Sequence, residues 1–298
     1  MEALENNPVI WNALFESAWL DTKPDMRLWL QNYAKSRYGK QNEHAEEAWE
    51  ILHQKVYSAT GRHDATANIM CARPTQNIDK SWHHGNKTTP YFTNKDIFPA
   101  WDKMLLAAEE LGNSDGYQLD VVELTREIIS YRAWEMYPKV IAAHQQGNQI
   151  LFDTLAEQFL ELFDDMELVL STRKEFLTGT WVEMHRNWGE TEKEKNYMEK
   201  FAKAIITVYG ERTLSEGNRL WDYACREWSG IMTDLYKARF EKYFSELQML
   251  TDKNAEPQID WYDFDYAWTI TLHDYPTIPL SCPVAACKTI YEKYRNQL

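Results

Sequence analysis

Apolar residues recur at helical spacing along most of this 298-residue chain, and few residues interrupt the pattern. Residues 43–57 show this spacing, as do residues 26–38, where the apolar positions are Met26, Trp29, Leu30, Tyr33 and Ala34. With 11 glycines and 10 prolines, turn signals are too sparse for a fold of many short strands. The sequence therefore predicts an all-α fold, a single multi-helix domain of roughly a dozen helices.

Helix boundaries follow from residues that begin and end helices. Asn7-Pro8 should cap and start a buried first helix whose apolar face carries Trp11 to Trp19, and Asp25 and Gly39 should bound the second. Pro138 should kink or interrupt a long helix near Tyr137. Further helices are predicted at about residues 99–111, 117–143, 149–170, 190–209, 220–237 continuing through 250, 262–272 and 283–296.

The helical pattern breaks between residues 58 and 96, which predicts one long irregular loop. A loop of this length within a compact domain is usually functional or disordered. It contains His63, His83 and His84, but these histidines have no partners at ligand spacing. The sequence therefore predicts neither a metal site nor a cofactor.

Charge and cysteine content limit the class of protein. The formal net charge of −14 argues against binding to nucleic acid or to an anionic membrane. The sequence contains no run of 18 apolar residues, so it predicts no membrane span. The cysteines match no zinc or redox motif. Cys282 and Cys287 either pair or face a helix as two thiols. The four cysteines are Cys71, Cys225, Cys282 and Cys287.

Several segments resemble the α-N-acetylglucosaminidases of glycoside hydrolase family 89. The likeness covers nearly the whole chain and is most specific at residues 1–57 and 217–240. The segments that carry it are Met1-Glu2-Ala3-Leu4-Glu5-Asn6-Asn7-Pro8, Arg37-Tyr38-Gly39, Leu119 to Arg126, Phe176-Leu177-Thr178-Gly179-Thr180-Trp181 and Asp222-Tyr223-Ala224.

The resemblance implies a function and a domain organisation. Residues 1–298 would be the C-terminal helical domain of a retaining hydrolase that releases terminal α-linked N-acetylglucosamine from a glycan. Glu2 would be the nucleophile, and the general acid would lie on an upstream barrel. Glu5 is rejected as that acid, because family members carry residues there that cannot donate a proton. The isolated chain should therefore be inactive. The family also implies a secreted, periplasmic or lysosomal protein.

Three further residues are candidates for substrate binding. By the resemblance, Tyr223 and Tyr209 wall the sugar pocket, although Tyr209 stands where the family usually has Trp. Arg73 precedes Pro74 in the long loop, so its side chain should either approach the nucleophile or substrate, or form a structural ion pair. The chain departs from the family at Phe201, Lys203 and Ile205. A non-catalytic helical domain that binds glycans or acts as a scaffold is the alternative function.

Overall fold

The computed structural model describes residues 7–58, 68–77, 92–218 and 220–297, and most of these residues are helical. The all-α prediction is confirmed, with one isolated β-bridge between Leu177 and Ser229 in the described ranges. The described helices are α1 (Pro8–Ser17), α2 (Met26–Tyr38), α3 (Glu43–Lys55), α4 (Asn94–Leu106), α5 (Ala108–Leu111), α6 (Asp115–Gln145), α7 (Gln149–Leu170), α8 (Thr178–Arg186), α9 (Glu192–Ile205), α10 (Arg212–Asn218), α11 (Ala238–Met249), α12 (Trp261–Ile270) and α13 (Pro283–Tyr294).

Local capping explains where the early helices begin and end. The Asp25 carboxylate accepts hydrogen bonds from the first amides of α2, and Gly39 ends that helix at a φ of 75°. Asn42 caps α3 in the same way. Asn7 precedes Pro8 at the start of α1, but its side chain makes no cap hydrogen bond and instead accepts one from the Tyr57 hydroxyl at 3.2 Å.

The centre of the domain is the pair α6 and α7, covered by α4, α11 and α13. Aromatic rings fill the space between α6, α7 and α11. Tyr137, Phe159 and Phe240 contact one another with centroid separations of 4.9 to 5.6 Å, and all three are fully buried. Burying a ring in this way stabilises the folded state by about 1.5–3 kcal/mol. None of the described helices combines the length and apolarity needed to cross a membrane.

Two of the segments that carry the family resemblance meet at Asp120. The Arg37 guanidinium donates to both oxygens of this buried carboxylate at 2.6 and 2.7 Å, and the Tyr38 hydroxyl donates to it at 2.8 Å. The Trp49 indole then donates to the Tyr38 hydroxyl. One aspartate on α6 therefore fixes the positions of α2 and α3.

Two predictions about helices were wrong, and a third was wrong in part. The helix α6 continues past Pro138 without interruption, because both halves are held in the core. A kink at this proline stays a prediction. The helix α1 was predicted to be buried and is not. Val9 is its one buried residue, whereas Leu14 and Phe15 are exposed. Trp19, which follows the end of the helix, is also exposed. Residues 220–230 are irregular rather than helical, and a π-helical turn, Met232–Lys237, leads into α11.

Candidate functional site

The segment of residues 220–230, which follows α10, carries Tyr223 and is called the tyrosine segment below. Backbone hydrogen bonds hold both of its ends: the Asp222 amide donates to the Thr207 carbonyl at 2.6 Å, and the Ser229 amide donates to the Phe176 carbonyl at 2.7 Å. The Glu167 carboxylate on α7 accepts from the Gly230 amide at 2.8 Å. The segment is therefore irregular but anchored on two sides.

Tyr223 and Tyr209 lie against each other at the surface. Their ring centroids are 5.7 Å apart in an edge-to-face arrangement, with Tyr223 46% exposed and Tyr209 half-buried. Tyr209 has a φ of 59°, and its amide donates to the Ala204 carbonyl. This left-handed turn, unusual for a tyrosine, directs the chain out of α9. The two residues predicted to wall a sugar pocket are thus neighbours that share an accessible aromatic surface.

A buried network of two arginines and two aspartates lies beneath the tyrosine segment. The Arg239 guanidinium on α11 donates to the carboxylates of Asp222 and Asp265 at 2.8 to 3.0 Å, and also to the Cys71 carbonyl at 2.7 Å. Arg73 donates to Asp265 at 2.9 Å. Buried charges are tolerated when they are paired and hydrogen-bonded in this way.

Arg73 points into the protein rather than out of its loop. It is 6% exposed, and its guanidinium lies 5.0 Å from the centroid of the Trp221 ring. The sequence left open whether Arg73 approaches the nucleophile or substrate, or forms a structural ion pair. The structure shows the ion pair, with Asp265. A contact between Arg73 and substrate stays a prediction.

A second polar cluster connects the tyrosine segment to α6. Arg126 donates to Glu227 at 2.6 Å and to Glu123 at 2.7 Å, and the Asn68 amide group donates to Glu227 at 2.9 Å. Burial raises the pKa of Glu127 to about 7; Arg126 opposes this rise, and Glu227 and Glu123 add to it. Glu227 therefore joins three parts of the chain: α6, residues 68–77 and the tyrosine segment.

The sequence indicated Arg126 only as the last residue of the segment from Leu119 to Arg126, and this cluster was not predicted. The local signal was the spacing of Glu123 and Arg126, which are three residues apart on one helix face. The link to Glu227 has no local signal, because 101 positions separate it from Arg126.

The start of the described chain contacts the chain just beyond α3. The Tyr57 hydroxyl donates to the Asn7 side-chain oxygen at 3.2 Å. Burial raises the pKa of Tyr57, and the carboxylates of Asp120, Glu123 and Glu127 raise it further. Glu2 lies outside the described residues, as do His63, His83 and His84.

The family departures at Phe201, Lys203 and Ile205 fall on α9. Lys203 is fully buried and pairs with Glu199 at 2.6 Å, and its ammonium group also donates to the Thr271 carbonyl at 2.5 Å. Burial lowers the pKa of this lysine, and Glu199 opposes that shift. Lys203 therefore joins α9 to the chain after α12, while Phe201 is exposed.

Comparison with known proteins identifies the family. A family model described as the α-N-acetylglucosaminidase C-terminal domain matches residues 29–293. The chain belongs to the α-N-acetylglucosaminidase family, as its C-terminal domain. Human α-N-acetylglucosaminidase is 25% identical over 311 residues, which cover 98% of this chain and 39% of the human protein.

Solved structures of a family 89 glycoside hydrolase from Clostridium perfringens have the same fold. The complex with 2-acetamido-1,2-dideoxynojirimycin is 31% identical and matches with a TM-score of 0.91, covering 98% of this chain and 34% of that protein. A variant with two Glu-to-Gln substitutions, in complex with GlcNAc-α-1,4-galactose, matches with a TM-score of 0.88 over 96% of this chain and 33% of that one. The domain thus spans between one third and two fifths of these relatives.

Proposed function

We propose that this domain is the C-terminal part of a retaining glycoside hydrolase that removes terminal α-linked N-acetylglucosamine from glycans. The observation that carries the proposal is the likeness in fold to a Clostridium perfringens enzyme bound to GlcNAc-α-1,4-galactose. Such an enzyme acts on the non-reducing end of a glycan. A secreted, periplasmic or lysosomal location remains a prediction.

The proposed reaction needs two carboxyl groups roughly 5 Å apart. Glu2 attacks the anomeric carbon and forms a covalent glycosyl-enzyme. A carboxylic acid on an upstream barrel first protonates the leaving oxygen. As a carboxylate it then activates the water that releases the sugar. Two inversions at the same carbon give overall retention.

In this proposal, the tyrosine pair forms part of the pocket wall. The Tyr223 ring stacks on the sugar or its hydroxyl bonds a sugar oxygen, and Tyr209 supports it from the side. The Arg73 guanidinium, 5.0 Å from the Trp221 ring, is the proposed donor to a substrate oxygen.

The exposed apolar face near the start of the domain is the proposed contact with the barrel. Trp19, just beyond the end of α1, is 89% exposed, and four other apolar side chains between residues 10 and 20 are also exposed. An apolar group of this size on a surface usually marks an interaction site. The residues of this face are Ile10, Leu14, Phe15, Trp19 and Leu20.

The proposal is tested on a protein extended upstream to include the barrel. With 4-nitrophenyl α-N-acetylglucosaminide as substrate, Glu2→Gln should lower kcat by several orders of magnitude, whereas the matched control Glu5→Gln should not. Azide should restore turnover to Glu2→Ala and give a glycosyl azide of inverted configuration. Full activity in Glu2→Gln, or an equal loss in Glu5→Gln, would remove Glu2 as nucleophile. Glycan binding without hydrolysis by the extended wild-type protein would favour a non-catalytic domain.

A further inference from the structure

Two residues with a left-handed backbone lie at the tyrosine pair. Among the residues that the structure describes, three that are not glycine have a positive φ: Asn7, Tyr209 and Asp222. Tyr209 is one member of the pair, and Asp222 directly precedes the other member, Tyr223. A left-handed φ is uncommon in residues other than glycine, and it persists where the surrounding contacts fix the backbone. These contacts can be followed from Asp222.

The backbone and the side chain of Asp222 are both fixed by hydrogen bonds. Its amide donates to the Thr207 carbonyl at 2.6 Å, and its carbonyl accepts from the Cys225 amide at 3.1 Å. The two carboxylate oxygens accept from the two terminal guanidinium nitrogens of Arg239 at 2.9 and 3.0 Å. Asp222 is 3% exposed, although the next residue, Tyr223, lies at the surface. The chain therefore passes from the buried network to the accessible ring within one residue.

The bond from Asp222 to Thr207 also reaches the other tyrosine of the pair. Thr207 precedes Tyr209 by two positions and is fully buried. Just after Tyr209, the Gly210 carbonyl accepts from the Tyr262 hydroxyl on α12 at 2.8 Å. The chain is thus anchored on both sides of Tyr209. The Asp222 amide attaches the backbone before Tyr223 to this anchored segment.

We propose that Asp222 is a positioning residue that sets the Tyr223 ring against Tyr209 for contact with the terminal sugar. The inference rests on the proposed role of Tyr223 in the pocket wall. Asp222 acts through Tyr223, because its own carboxylate is buried and bonded by Arg239. The left-handed turn at Asp222 gives the chain its direction, and the ion pair holds that turn in place.

Replacing Asp222 by asparagine separates the turn from the ion pair. Asparagine and aspartate adopt a left-handed φ more readily than other residues with a side chain, so Asp222→Asn keeps the turn accessible. The asparagine amide nitrogen is a donor, however, and it would face a guanidinium that only donates. One of the two bonds to Arg239 and the negative charge are then lost. The position of Tyr223 should loosen as a result.

The test is a double-mutant cycle in the barrel-containing enzyme, with 4-nitrophenyl α-N-acetylglucosaminide as substrate and at a temperature at which every variant is folded. Asp222→Asn should lower kcat/KM by about tenfold. In the Tyr223→Ala background, the same substitution should change kcat/KM by less than about twofold, because the ring that Asp222 positions is gone.

Asp165→Asn is the matched control. Asp165 is also a buried aspartate, and it pairs with Lys293 on α13 at 2.7 Å. The control should lower the melting temperature, as the loss of a buried ion pair does, and leave kcat/KM unchanged. A merely structural role for Asp222 would give this same result.

The outcomes distinguish the positioning role from the pocket wall itself. Full activity in Asp222→Asn, or an equal loss in the two backgrounds, would overturn the positioning role and leave Tyr223 in the wall. Full activity in Tyr223→Ala would remove the wall and the positioning role with it.

If Asp222→Asn does not fold, Asp222→Glu takes its place in the cycle. It keeps a negative charge opposite Arg239, but its extra methylene group displaces the backbone before Tyr223. The same pattern of losses is expected, and full activity in Asp222→Glu would likewise overturn the positioning role.

Discussion

Arg239 is the residue on which the packing beneath the tyrosine segment depends. It pairs with both Asp222 and Asp265, and all three side chains are buried. Arg239→Met should therefore lower the free energy of unfolding by about 3–5 kcal/mol, because the buried Asp222 loses its arginine partner and Asp265 keeps only Arg73. Urea denaturation would measure this. Arg212→Met breaks ion pairs with Asp260 and Asp263 at the surface and should cost less than about 1 kcal/mol. Equal losses in the two variants would show that burial does not set the energy of the network.

Tyr223 is exposed enough to be changed without unfolding the domain. In the barrel-containing enzyme, Tyr223→Phe and then Tyr223→Ala should progressively lower kcat/KM, by about 1–3 kcal/mol for the lost sugar contact. The melting temperature should stay nearly constant. Tyr197→Ala on α9 removes a tyrosine that is also exposed and should leave kcat/KM unchanged. A fully active Tyr223→Ala enzyme, or an unfolded one, would place Tyr223 outside the site.

Glu127 should make stability depend on pH. Its pKa is about 7 in the folded chain against an ordinary value of 4.5, chiefly because of burial. Between pH 4.5 and 7, Glu127 therefore keeps its proton in the folded state and has lost it in the unfolded state. The free energy of unfolding falls as the pH rises through this range. Between pH 4.5 and 8, the free energy of unfolding should fall by roughly 1–3 kcal/mol less in Glu127→Gln than in the wild type. Thermal melts across this pH range measure the difference.

Glu109, an exposed carboxylate on α5, gives the control Glu109→Gln. If Glu127→Gln melts with the same pH dependence as the wild type, another group is responsible.

The helix α8 depends on the close approach of another backbone. A Cβ on Gly179 would lie 2.2 Å from the Pro276 carbonyl oxygen, in the chain between α12 and α13. Gly179→Ala should therefore destabilise the domain by about 1–3 kcal/mol, measured by thermal or urea denaturation. Gly217→Ala on α10 meets nothing within 4 Å and should be neutral or slightly stabilising. If Gly179→Ala were as stable as the wild type, the backbone at Pro276 would be able to move away from the added Cβ without a loss of stability.

Helix signals in the sequence were accurate where the deciding contacts are local. Asp25 and Gly39 bound α2 as predicted, since a cap involves only neighbouring residues. The tyrosine segment was predicted as helix and is not, because Asp222 adopts a left-handed φ of 55° and bonds Arg239 on another element. Tertiary contacts there overrode the local apolar pattern.

For the whole molecule, we expect the 298-residue chain to fold but not to hydrolyse 4-nitrophenyl α-N-acetylglucosaminide. The proposal places the partner acid of Glu2 on an upstream barrel, and losing half of such a pair costs orders of magnitude in rate. The barrel-containing protein is the positive control. Robust turnover by the 298-residue chain that Glu2→Gln abolishes would show that the general acid lies within it.

The sequence by itself determined the all-α fold, because helical periodicity and sparse turn residues are local properties. Through the resemblance, it also indicated the family, and it indicated Tyr223 and Tyr209 as candidates for substrate binding. Only the tertiary structure placed the two tyrosines in contact and showed Arg73 paired with Asp265. The pairing of Arg73 with Asp265 spans 192 positions, and no spacing rule reaches that far. Such pairs form because closing the core brings distant buried charges together, and that closure depends on the packing of all the helices at once.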